Sequence, residues 1–228
     1  MKHVQRRTAL VALAGLAVLG AAPAAFAEGN GGEVSESELQ DARDLIAEID
    51  SDLAAQGTSV SEQLALLEEE TGETFSTGVQ VQRRKVSEED LLRAAVASIA
   101  ASFTALNYKL AAELLIRSTK KSGALYIPKF GTRASNSPVI SKIKKGAPLA
   151  GSSAFKKTSG GSYPADLYYA IHKFNFSKTG AKNPKVTVTD VYDFATEKYQ
   201  GIQGKAVATM ALAQKKGVVK KYTLKITV

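Results

Sequence analysis

Apolar residues recur at spacings of three and four along the first half of the chain, and at spacings of two along parts of the second. Leu39, Ala42, Ile46, Ile49 and Leu53 form the first helical stripe, with acids on the opposite face. Gly57 is placed to end that helix. Ser59 or Ser61 can cap a short second one that carries Leu64, Leu66 and Leu67 and stops near Gly72. Residues 74–82 read as a strand or an extended connector. Ser87 then opens the longest helix, with Glu88, Glu89 and Asp90 in the first turn, where the helix dipole favours acids; Ser87 with Asp90 resembles a capping box. Leu92, Val96, Ile99, Phe103, Leu106, Leu110 and Leu114 predict one unbroken stripe, suited to a core-facing helix more than to a coiled coil.

From residue 120 to 164 the periodicity is lost. Residues 124–127 and 138–140 read as short edge strands bounded by prolines. Two alternating runs follow, DLYYAIHKFNF and VTVTDVYDF. They flank a polar loop with Gly180 and Pro184 and predict a β-hairpin over 166–194. Keeping the apolar faces together pairs Phe176 with Val186 and Phe174 with Val188. The same register sets His172 opposite Asp190, Ala170 opposite Tyr192 and Tyr168 opposite Phe194. A one-residue slip would break this match, whereas a two-residue slip would not. Ile202, Ala206, Met210 and Ala213 predict a helix that ends at Gly217. Tyr222, Leu224, Ile226 and Val228 predict a closing, half-buried strand. The expected fold class is α+β: an acidic helical region over 36–118, then a basic domain over 119–228 built as a small antiparallel β-sheet with one helix.

Composition narrows the chemistry. The chain has 228 residues and no cysteine, which excludes disulfides, thiol catalysis and cysteine-ligated metal. His172 is the only histidine beyond residue 27, so a multi-histidine zinc site is excluded, and no motif calls for a cofactor. Lys2, Arg6 and Arg7, the apolar run over 8–22 and Ala25-Phe26-Ala27 read as a signal peptide cleaved after Ala27. The mature chain is therefore expected outside the cell, starting with a flexible leader over 28–35. It carries no further apolar run long enough to span a membrane. Arg83-Arg84-Lys85 reads as a solvated basic turn in preference to a processing site.

Net charge changes the picture more. The overall +8 divides into −11 over residues 28–117 and +16 over residues 118–228. Acidic helices either shield the basic domain or leave it to an anionic partner, such as teichoic acid or a lipid head group. Lys142, Lys144 and Lys145, then Lys156 and Lys157, are the candidate ligand-binding clusters. Nucleic acid is not specifically indicated, because no recognition motif is present.

The C-terminal half, with DLYYAIHKFNFSK, VTVTDVYDF and the GIQGKAVATMALAQKKGVVKKYTLKITV ending, resembles a set of secreted bacterial proteins and implies export without implying a reaction. Asp190, Tyr192 and Asp193 also match the Asp-x-Tyr-Asp motif of the colicin M family of lipid II-cleaving bacteriocins. The His-Arg pair that follows in that family is Tyr199-Gln200 here, so His172 would have to supply the histidine. Two readings result. The first is a non-enzymatic binding protein in which His172 and Asp190 merely fix the hairpin. The alternative is a hydrolase of a phosphate-bearing cell-wall precursor, with His172 and Asp190 as a base dyad aided by Tyr192 and Asp193.

Overall fold

The computed structural model describes residues 34–72, 74, 86–120, 125–146, 148–156, 162–180, 183–194 and 201–228, with side chains from 204 onward in the last segment. The expected signal peptide, most of the expected leader, Arg83–Lys85, Lys157, Tyr199 and Gln200 lie outside these residues. The fold is α+β. Its elements in order are α1 (Glu36–Ala55), α2 (Val60–Thr71), α3 (Glu88–Ala105), α4 (Lys109–Ser118), a 3-10 helix (Lys129–Asn136), α5 (Pro138–Lys145), β1 (Ala150–Ala154), α6 (Ser162–Ala170), β2 (Lys173–Thr179), β3 (Lys185–Tyr192), α7 (Gly201–Lys215) and β4 (Tyr222–Thr227).

Local signals set the helix ends, those expected at Ser59 and Ser87 together with one at Ser35 that was not anticipated. Ser35, Ser59 and Ser87 cap α1, α2 and α3, each accepting an amide hydrogen bond three residues on. Gly57, Gly72 and Gly217 follow α1, α2 and α7 with positive φ. The inward face of α1 uses Leu45 where Ile46 was expected. The long stripe is not one helix. It breaks at Asn107, whose φ of 60° lies in the left-handed region, so that Leu110 and Leu114 belong to a second helix, α4. Asparagine tolerates this conformation better than most residues. Helix α3 is buried along one continuous run from Ala95 to Phe103, and its small residues let α1, α2, α4 and α7 close around it.

Three further corrections concern the second half. Residues 138–145 form helix α5 and not an edge strand: Pro138 occupies the first helical turn and the Ser137 hydroxyl caps it. The basic region carries the 3-10 helix, α5, α6 and α7, where one helix was expected, and it gains an unanticipated strand, β1. The hairpin's first run is helical up to Ala170, with strand only from Lys173. Ala165, Asp166, Leu167, Tyr169 and Ala170 are all buried. A short helix covered on most sides loses its periodicity and imitates a strand. Of the edge strand expected over 124–127, only a parallel bridge from Tyr126 to Leu224 forms among the described residues.

The sheet is antiparallel in the order β1-β2-β3-β4. Phe176 pairs with Val188 and Lys178 with Val186, two residues away from the expected register. Both registers bury the same faces, so side-chain alternation cannot choose between them. The turn decides: Gly180 and Asn183 take φ of 85° and 60°, and pairing continues out to Thr179 with Lys185. Inward residues Phe174, Phe176, Val186, Val188, Tyr192, Tyr222, Leu224 and Ile226 join the helices in one hydrophobic core that runs from Leu45 to Ile226. The acidic and basic segments therefore share a core.

Candidate functional site

The observed register does not set His172 opposite Asp190. Continuing the observed register by one pair sets Phe174, not His172, across from Asp190, whose other neighbour is Leu224 of β4. His172 lies in the bend between α6 and β2, where its ring packs 4.9 Å from that of Tyr168 and its carbonyl accepts from the Phe155 amide at 2.8 Å. Ala170 and Tyr168 belong to α6, and Tyr192 pairs with Tyr222.

Burial governs the three motif residues. It pushes the Asp190 carboxyl up to about 7, with Asp193 adding to the rise and the Val191 amide opposing it. The Tyr192 phenol is fully buried and held far above its ordinary value. Asp193 is raised by burial against the pull of Lys221, which lies 3.5 Å away. A carboxyl raised in this way keeps its proton in the folded state at pH values where the unfolded chain has lost it. Asp190 therefore costs stability as pH rises from about 4 through about 7, and the full penalty stands above that. Asp190→Asn is expected to be more stable than wild type at pH 8, with the advantage vanishing near pH 4. Urea denaturation across that range measures it, and parallel stability profiles would contradict the assignment.

A different polar cluster is assembled from three elements. The Asp166 carboxylate of α6 is fully buried. It accepts from the Leu110 and Ala111 amides at 3.2 and 2.9 Å, capping α4, and from Arg133 of the 3-10 helix at 2.5 Å. Burial pushes its carboxyl up to about 6, against the pull of these partners. The Arg133 guanidinium lies 4.7 Å from the Tyr163 ring centre and 5.4 Å from that of Phe130, and it also donates to the Asn107 carbonyl at 2.8 Å. Glu113 of α4, likewise buried, accepts from the Lys129 and Phe130 amides at 2.6 and 2.9 Å and from the Tyr126 hydroxyl at 2.8 Å. Each carboxyl thus caps the next helix, and Arg133 closes the ring. This cluster has the makings of a structural knot. Sequence reading missed it because its members lie more than thirty positions apart between Arg133 and Asp166.

The candidate lysines divide. Lys142 and Lys145 line an open depression of about 540 Å³ together with Asn136, Pro138 and Ser141. Lys144 shares the last turn of α5, where cations favour the helix dipole. Lys178 adds to that end, reaching the Ile143, Lys144 and Gly146 carbonyls. Lys156 is exposed beyond β1, apart from α5. Among the described residues none of Lys142, Lys144, Lys145 and Lys156 enters an ion pair. Three lysines that the clusters did not include, Lys173, Lys185 and Lys225, stand on the outward face of the sheet. For Lys225 the polar alternation with Thr223 and Thr227 was the available signal.

Part of the basic excess is neutralised within the fold. Lys205 of α7 and Lys216, one residue past its end, each lie 3.3 Å from an acid, Asp44 of α1 and Glu88 of α3 respectively. The acidic helices thus cover α7, and no ion pair among the described residues joins them to α5 or the sheet. Fold and surface together define an α+β protein with an acidic helical side and a basic side whose described α5 lysines enter no ion pair. Comparison with protein-family models, with curated proteins and with solved structures finds no match.

Proposed function

We propose that this is an exported binding protein, not an enzyme, that engages an anionic extracellular polymer or surface through its basic region. One observation carries the reading. Every described acid of residues 118–228 is used internally: Asp166 is buried against Arg133, Asp190 is largely buried and raised toward neutrality, and Asp193 pairs with Lys221. The lysines of α5 and of the outward face of the sheet therefore have no described carboxylate of their own region paired with them. Charge of one sign on an open surface attracts polyanions and raises their local concentration. The signal-like first 27 residues support export. The lipid II hydrolase alternative loses the support of the expected pairing, since Asp190 stands between Phe174 and Leu224.

The test is co-sedimentation of the chain from residue 28 onward with teichoic acid at low and high salt. Binding is expected at low salt, weakening as added ions screen the lysines. Replacing Lys142, Lys144 and Lys145 together by glutamine is expected to cost about 1 kcal/mol per lysine. Absence of low-salt binding would overturn the reading.

A further inference from the structure

The outward face of the sheet combines a basic feature with an apolar one. It presents Lys173, Lys185 and Lys225 among serine, threonine and asparagine, and no acid lies on that face within the four strands. Along β3 the first described acid beyond that face, Asp193, is one residue past the strand and pairs with Lys221. The second feature is apolar. Tyr126 bridges Leu224, donating its amide to the Thr223 carbonyl at 2.9 Å and accepting from the Lys225 amide at 2.8 Å. Its hydroxyl reaches inward to Glu113, so Leu125 and Ile127, its neighbours in an extended segment, alternate to the outward side. They are 52% and 69% exposed, and Val191, paired with Thr223 on the same face, is 50% exposed.

We propose that this face docks on an anionic lipid bilayer, the three lysines meeting phosphate head groups while Leu125, Ile127 and Val191 enter the head-group boundary. The inference rests on the reading of the protein as a binder of anionic extracellular surfaces, and it names the partner and the face. Charge complementarity favours any polyanion, but a water-soluble polymer gains nothing from three exposed aliphatic side chains. A bilayer uses both features, because peripheral binding strength grows with inserted apolar area and with attraction to anionic lipid.

The experiment is flotation of the chain from residue 28 onward with phosphatidylglycerol-containing vesicles, with phosphatidylcholine vesicles alone, and in parallel the teichoic acid assay. Binding is expected only to the anionic vesicles. The double substitution Leu125→Ser and Ile127→Ser, at positions too exposed to carry the core, is expected to weaken vesicle binding by about tenfold or more and to leave teichoic acid binding unchanged. Lys173→Gln, Lys185→Gln and Lys225→Gln together are expected to weaken vesicle binding by about fivefold per lysine. If teichoic acid binds and anionic vesicles do not, docking on lipid is overturned while the broader reading stands. Vesicle binding that ignores both sets of substitutions overturns the assignment to this face. Binding to neither partner overturns both.

Discussion

Asp166→Ala is expected to destabilise the fold by roughly 3–5 kcal/mol, the cost of removing one partner from a buried ion pair. Its Arg133 partner is only 10% exposed at the side chain and is enclosed by Phe130 and Tyr163, so the guanidinium cannot recover water without opening the packing. The same substitution strips the cap from the Leu110 and Ala111 amides at the start of α4. Against a total stability of about 5–15 kcal/mol for a typical domain, this is a large fraction. Urea denaturation of the purified variant measures it. Arg133→Met in the Asp166→Ala background is expected to restore part of the loss, since it removes the uncompensated charge. A coupling energy near zero in that double-mutant cycle would show that the pair does not act as a unit.

Glu113→Ala is the second large effect, expected at about 3 kcal/mol or more, because three donors lose their acceptor and each buried unpaired donor costs about 1–3 kcal/mol. The Lys129 and Phe130 amides begin the 3-10 helix, and the Tyr126 hydroxyl ties the adjoining segment to α4. Losing them loosens the element that presents Arg133 to Asp166. The losses from Glu113→Ala and Asp166→Ala should therefore add to more than the loss in the double variant. Native-state hydrogen exchange gives a direct readout: the Lys129 and Phe130 amides should lose protection before the strands do. Unchanged protection at those two amides would contradict the capping role. Glu113→Gln, which keeps one carbonyl oxygen, is expected to fall between wild type and alanine.

Asp166 and Glu113 mark the boundary between what a sequence makes legible and what it hides. The spacing of apolar residues, the serine caps and the glycine stops are properties of a few neighbouring residues, and α1, α2, α7 and β4 followed from them closely. The alternation of the hairpin also survived, since Phe174, Phe176, Val186 and Val188 all face the core. Its register did not, because a shift of two keeps every side chain on its face and only the turn at Gly180 and Asn183 separates the alternatives. The candidate dyad lost the cross-strand pairing that had suggested it. The lysine clusters were legible as charge, but that the acidic helices pair with Lys205 and Lys216 instead was not.

The residues by themselves determined the α+β class, the helix starts and stops at Gly57, Ser59, Gly72, Ser87 and Gly217, the faces of the strands and the division of charge, all of which follow from local geometry and composition. Only the tertiary structure decided the break at Asn107, the helical state of residues 162–170, the ring of Glu113, Arg133 and Asp166, and the alignment of Leu125 and Ile127 with the outward lysines. Each of these depends on segments distant along the chain meeting in space. There the burial of a polar group or the closing of a turn outweighs the weak local preference that a sequence pattern records.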